Sequence, residues 1–235
     1  MTDARSLRRS ERGPFPDSGS VARLIDHTCL RPDAGSAEID RLCSEARRYG
    51  FYSVCVAPKF VERARGRLQG SDVRVCTVVD FPLGFGSGKS RVYAAMDAVN
   101  RGAHELDVVA PAGAFAEGKW KLAYEDIAAI VMSTPQATHK VILETGYLPD
   151  SRKVRAAKTV VQAGAAFVKT CTGFGPGRAT TGDVSLLRNA VGEELGVKAS
   201  GGIRTLSCLM RLAKAGASRI GTSSALSIIE ELSAR

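Results

Sequence analysis

Ala163-Gly164-Ala165-Ala166-Phe167-Val168-Lys169-Thr170-Cys171-Thr172-Gly173 reads as a helix end, a strand and a glycine turn in succession. Gly164 supplies the left-handed residue that stops a helix just before the next strand. Ala166–Cys171 is the apolar run of a buried strand, and Thr172-Gly173 turns the chain. The helix-ending phrase recurs as Arg101-Gly102-Ala103 and Ala215-Gly216-Ala217. Working outward from it, strands are expected at Leu24–Cys29, Ser53–Val56, Arg74–Val79, Glu105–Val109, Lys140–Glu144, Ala166–Cys171, Val197–Ser200 and Arg219–Thr222. Helical patterns follow each, at 36–48, 59–69, 88–101, 120–133, 151–163, 181–194, 205–214 and 223–233. Eight β–α units without a composition break predict an α/β fold of the (β/α)8 TIM-barrel type, one domain over residues 21–235. A doubly wound open sheet is the alternative, but the usual G-x-G-x-x-G after a first strand is missing.

In a barrel the chemistry sits at the C-terminal strand ends, where Thr28, Asp107, Glu144, Lys169, Lys198 and Ser223-Ser224 fall. Lys169 and Lys198 then end adjacent strands. Lysine is almost never buried without a partner, and both desolvation and a neighbouring ammonium depress its pKa. One of the pair would so become a carbonyl-attacking amine. The plainer reading, strands at an edge with ammonium groups reaching solvent, suits either lysine alone better than it suits the pair. Asp107, in Glu105-Leu106-Asp107-Val108-Val109, is a carboxylate inside an apolar strand. It can balance the lysines and carry protons, or be a structural aspartate satisfied by amides or Thr28.

Gly201-Gly202-Ile203-Arg204-Thr205 and Gly221-Thr222-Ser223-Ser224 follow strands seven and eight. The loops after those strands are the recurrent phosphate site of barrel enzymes, where helix-start amides face the anion. Gly201, Gly202, Arg204, Gly221, Ser223 and Ser224 are therefore expected to bind phosphate, with Thr170 and Gly173 from strand six. The glycine-rich loop Thr172–Arg178 would line the same pocket, and Arg178 is a further phosphate candidate. Thr28 and Cys55 are expected pocket-lining residues. An amine, a carboxylate and a phosphate anchor describe a Schiff-base aldolase for a phosphorylated aldehyde or sugar, needing no metal and no cofactor.

Composition narrows the classes further. The 235 residues are 44% hydrophobic, and 33 basic against 24 acidic side chains give +9. No aromatic-rich basic strand or recognition helix suggests nucleic acid, so the excess suits attraction of a small anionic substrate. No apolar run approaches the roughly 18 residues of a membrane span. Residues 1–20, with Arg5, Arg8, Arg9 and Arg12 but no apolar segment, read as a loose extension rather than a secretory signal. The six cysteines have neither disulfide-framework nor zinc spacing, and the three histidines no metal-ligand spacing. A cytoplasmic protein, as a homo-oligomer (dimer or tetramer) without nucleic-acid or membrane partners, is expected.

The runs Leu24-Ile25-Asp26-His27-Thr28, Ser53-Val54-Cys55-Val56, Phe81-Pro82-Leu83-Gly84, Val168-Lys169-Thr170-Cys171-Thr172-Gly173-Phe174-Gly175 and Val197-Lys198-Ala199-Ser200-Gly201-Gly202-Ile203-Arg204 resemble the deoxyribose-phosphate aldolase family, in its order, over residues 21–226. The resemblance implies that Lys169 forms the Schiff base, Lys198 lowers its pKa and Asp107 relays protons. It further implies reversible cleavage of 2-deoxy-D-ribose 5-phosphate to glyceraldehyde 3-phosphate and acetaldehyde, in deoxyribose phosphate catabolism. A phosphate-binding barrel isomerase or synthase, or a sugar-phosphate-binding barrel with altered catalysis, stands as the alternative. The chain departs from the family at Ala57, where asparagine is usual, and at Asp80, where a small residue is usual. It departs again at Ala110-Pro111-Ala112-Gly113, where many members carry asparagine before the glycine, and it ends Ser233-Ala234-Arg235 without the terminal tyrosine of some members.

Overall fold

Eight short apolar strands are buried on both faces either by helices on both sides of an open sheet or by helices on one side and closure of the sheet into a barrel. The computed structural model, which describes residues 18–193 and 195–234, has the second arrangement. Strands β1 (Ile25–Cys29), β2 (Ser53–Val56), β3 (Arg74–Val79), β4 (Glu105–Val109), β5 (Thr138–Ile142), β6 (Phe167–Lys169), β7 (Gly196–Ser200) and β8 (Arg219–Thr222) form a closed parallel barrel in sequence order. β8 pairs back onto β1, with Asp26 opposite Gly221. The covering helices are α2 (Ser36–Tyr49), α3 (Val61–Arg67), α4 (Gly88–Asn100), α6 (Trp120–Ser133), α7 (Asp150–Gln162), α8 (Thr181–Val191), α9 (Leu206–Lys214) and α10 (Ala225–Ser233).

Two helices were not expected. α1 (Ser18–Ala22) packs on α10, so the extension expected over 1–20 ends in a helix, while residues 1–17 lie outside the described part. α5 (Ala112–Glu117) starts just after Pro111, whose fixed φ suits a helix entrance, in an alanine-rich stretch that propensity favours.

Alternation along each strand sorts side chains into two cores. Val54, Val75, Leu106, Val141 and Val197 point outward into the main apolar layer against the helices. The barrel interior instead holds charge. Asp26, Glu105, Asp107, Lys140, Lys198 and Arg219 are all buried there. Beside them Cys55, Cys76 and Val78 form a small separate apolar cluster.

Strand ends differ from expectation at β5 and β6. Glu144 was expected to close β5, but its φ of 49° leaves the extended region, so the ladder stops at Ile142. β6 ends at Lys169, and the chain beyond it turns toward Glu144 and β7. Among the described residues no helix is long and apolar enough to cross a membrane.

Candidate active site

Ladder register brings the expected lysines together. Lys169 lies directly opposite Lys198 across β6 and β7, and both side chains point into the barrel. Asp107 Oδ2 accepts from Lys169 Nζ at 2.6 Å and from Lys198 Nζ at 2.7 Å. A third ammonium, Lys140 from β5, donates to Asp107 Oδ1 at 2.8 Å and lies 2.7 Å from Glu105. Asp26 pairs with Lys198 at 2.5 Å and with Arg219 at 2.9 Å. Arg219 also reaches Glu105, and its guanidinium stacks 3.4 Å above the Tyr52 ring.

Burial alone would raise the carboxylates and lower the lysines, but opposite charge outweighs it. The Asp107 carboxyl is held well below the carboxylate range by Lys140, Lys169 and Lys198. Asp26 is likewise lowered, with Lys198 the largest favourable neighbour. Lys140 and Lys198 are raised against burial by the carboxylates around them, Asp107 first. Lys198 therefore stays an ammonium. The interior brings four basic side chains (Lys140, Lys169, Lys198, Arg219) against three acidic ones (Asp26, Glu105, Asp107). Of the three lysines, Lys169 alone lines the cavity above.

That cavity, of about 780 Å³, opens at the C-terminal ends of β6, β7, β8 and β1. Gly173, Gly201, Gly202, Arg204 and Gly221 line it, with Ser223 and Ser224 just ahead of α10. Gly201 and Gly202 take φ of 102° and 75°, which a side chain rarely adopts, so this turn needs glycine. Thr28 also faces the cavity. Thr170 does not, because strand alternation turns it away from Lys169. Its hydroxyl donates to the Ser200 carbonyl and accepts from the Ser200 amide. Cys55 is likewise sealed below the cavity, opposite Cys76 on β3. Arg178 lies over Gly202 in the strand-six loop.

Cys55, Cys76 and Asp107 place two sulfurs and a carboxylate oxygen within 4.8 Å of one another. Spacing along the chain could not reveal such a set, since its members come from three neighbouring strands. The charge demand is nevertheless met by ammonium groups: both Asp107 oxygens accept from lysines, and Lys140 Nζ donates to Cys76 Sγ at 3.3 Å. Asp107 and Cys76, two of the three groups in the set, are thus already engaged by lysines.

Asp80 shows how one family departure is accommodated. Its φ is 56°, a conformation aspartate tolerates better than most residues. Its carboxylate accepts from the Gly86 amide at 2.8 Å and lies 3.3 Å from the buried Arg91, which also pairs with Asp126. The loop after β3 is fixed by this ion pair.

Similarity to known proteins follows the same outline. The deoxyribose-phosphate aldolase of Thermoanaerobacter pseudethanolicus is 48% identical over 215 residues, covering 90% of this chain and 96% of the relative. That of Geobacillus sp. is 47% identical, covering 90% and 95%. A crystal structure of a putative deoxyribose-phosphate aldolase from Coccidioides immitis superposes with a TM-score of 0.90 at 40% identity, covering 94% of this chain and 88% of that one. The tetrameric deoxyribose phosphate aldolase of Aeropyrum pernix superposes with a TM-score of 0.86 at 31% identity, covering 92% of each chain. With residues 20–230 also matching the family model described as DeoC/LacD family aldolase, the chain belongs to that family.

Proposed function

We propose that the protein is a class I aldolase that cleaves 2-deoxy-D-ribose 5-phosphate reversibly to D-glyceraldehyde 3-phosphate and acetaldehyde. One observation carries the reading: the amine at the cavity floor, Lys169, shares its carboxylate with an ammonium that stays charged, Lys198. In the cleavage direction Lys169 Nζ adds to the C1 aldehyde of the open-chain sugar, and loss of water leaves an imine. The 3-hydroxyl gives up its proton, the C2–C3 bond breaks, and its electrons pass into the imine to form an enamine. Glyceraldehyde 3-phosphate leaves, C2 takes a proton, and water releases acetaldehyde from Lys169. Asp107 Oδ2, within hydrogen-bond reach of both amines, is the group through which protons would pass.

The phosphate is assigned to the amides and hydroxyls of Gly173, Gly201, Gly202, Ser223 and Ser224, assisted by Arg204. Thr170 supports this only through the Ser200 backbone. The isomerase and binding-barrel alternatives are not favoured, because relatives matched over nine-tenths of this chain are aldolases. The proposal extends to a cytoplasmic role in deoxyribose phosphate catabolism and to a homo-oligomer, the latter supported by the tetramer of the Aeropyrum relative.

Borohydride reduction in the presence of acetaldehyde tests the reading. The wild-type chain should gain a stable adduct at Lys169 and cleave deoxyribose 5-phosphate, while Lys169→Ala should do neither. An adduct that persists in Lys169→Ala would move the Schiff base to another lysine.

A further inference from the structure

Glu144 stands just beyond β5, outside the cavity lining and outside the chemistry assigned above. Two features make it costly to keep. Its φ of 49° and ψ of 67° place a non-glycine residue in the left-handed region. Its carboxylate is buried, and Oε1 has no hydrogen-bond partner. Such local penalties persist where the surrounding structure requires them, and they concentrate at functional sites.

The other oxygen shows what the residue holds. Oε2 accepts from the Thr172 amide at 3.0 Å and from the Thr172 hydroxyl at 2.5 Å. A carboxylate cannot donate, so the Thr172 hydroxyl must, and its lone pairs are left for other donors. The amides of Phe174 and Gly175 take them, at 3.1 and 3.2 Å. The loop fits closely around the acid: a Cβ on Gly175 would sit 2.7 Å from the carboxyl carbon of Glu144. Thr172, Gly173 and Phe174 in turn line the cavity.

The far end of this loop is held separately. The Ala179 amide donates to the Gly201 carbonyl, and Asp183 at the start of α8 is held by Thr145 and Lys153. Lys169 has its own anchor in Asp107. Glu144 therefore acts on one stretch alone, the backbone from Thr172 to Gly175.

We propose that Glu144 is a positioning residue that, through the Thr172 hydroxyl, fixes the backbone of residues 172–175 in the form that receives the phosphate-bearing end of the substrate. The proposal deepens the aldolase reading and rests on it. It separates two properties of one site: Asp107 and Lys198 govern the amine, and Glu144 governs recognition.

The test compares Glu144→Ala, Glu144→Gln and Thr172→Val with the wild type by steady-state kinetics, acetaldehyde trapping and amide hydrogen exchange. Glu144→Ala and Thr172→Val should raise KM for deoxyribose 5-phosphate about tenfold, the loss of one charge-assisted hydrogen bond. Cleavage of unphosphorylated deoxyribose and trapping at Lys169 should stay within about twofold of wild type, well below that loss. Glu144→Gln, whose amide oxygen can still accept from Thr172, should recover most of the affinity. Exchange at Phe174 and Gly175 should quicken in Glu144→Ala and Thr172→Val. Should Glu144→Ala not fold, Thr172→Val and Glu144→Gln carry the comparison. Unchanged exchange at Phe174 and Gly175 overturns the proposal whatever the kinetics. A parallel fall in both substrates and in trapping, without recovery by glutamine, also overturns it, because Glu144 would then be merely structural. Failure of the aldolase reading looks different: the wild type itself would form no adduct, and exchange would still judge the clamp.

Discussion

Three ammonium groups compete for Asp107, and their remaining partners separate their roles. Lys140 also has Glu105 at 2.7 Å, is wholly buried and does not line the cavity. Its contribution is to tie together the interior faces of the neighbouring strands β4 and β5. Replacing it by methionine keeps the volume but leaves Glu105 and Asp107 short of a buried partner, which should cost about 3–5 kcal/mol. Urea denaturation of Lys140→Met measures this, and a loss below about 1 kcal/mol would make Lys140 dispensable. Lys198 differs because it shares Asp107 Oδ2 with Lys169, the amine proposed to react. In Lys198→Leu that oxygen is left to Lys169 alone, and the ammonium that shares it is gone, leaving only Lys140 on the other oxygen. Imine formation should then require higher pH, with activity at neutral pH lower by roughly 10²-fold. A rate that falls without any movement of the pH profile would limit Lys198 to contacts with substrate or with Asp26.

Among the elements, the loops after β7 and β8 are the ones to which the proposed function assigns the phosphate. Ser223→Asp places a carboxylate at the wall where the phosphate dianion is assigned. Repulsion between unit charges about 4 Å apart is about 4 kcal/mol at an effective dielectric near 20. Cleavage of deoxyribose 5-phosphate should therefore collapse while acetaldehyde trapping at Lys169 survives. Parallel loss of both would point to a damaged barrel instead. These loops, and all eight strands, were legible because glycine turns and β-branched runs are local signals. The register that joins strands is not local. Lys140 was read only as part of strand five, since nothing in His139-Lys140-Val141 says that it lies opposite Asp107. A usable signal did exist: Glu105 is two residues from Asp107, so alternation puts both on the inward face. The same rule turns Thr170 away from the face of Lys169, which the glycine-turn pattern overlooked. Glu144 was expected to end a strand, and its left-handed φ follows from tertiary contacts with the next loop rather than from its own neighbours in sequence.

Over the whole molecule, the burial that assembles the site also sets how stability responds to acid. His27, His104 and His139 are all shifted below the usual histidine value, each chiefly by burial. His139 falls farthest, to about 4, with the Lys140 ammonium adding to burial. Its ring pairs with the Thr134 hydroxyl at 2.8 Å and suits the neutral form. A histidine that is neutral when folded and protonates near 6.5 when unfolded makes unfolding take up a proton between those values. The stabilisation is fully present above about pH 6.5 and is lost as the pH falls toward about 4. For His139 alone it amounts to at most about 3 kcal/mol. The carboxylates act lower: Asp26 and Asp107 are depressed by their lysine partners, so their stabilisation disappears only below about pH 4. Between about pH 6.5 and 4 the histidines thus lower stability, opposed by Asp126, whose carboxyl is raised by burial. Urea midpoints should fall across it in the wild type and fall markedly less in His139→Asn, which keeps a polar side chain beside Thr134 but takes up no proton. Should the two proteins lose stability in step across that interval, His139 is not the group that titrates, and His27 and His104 must account for the slope.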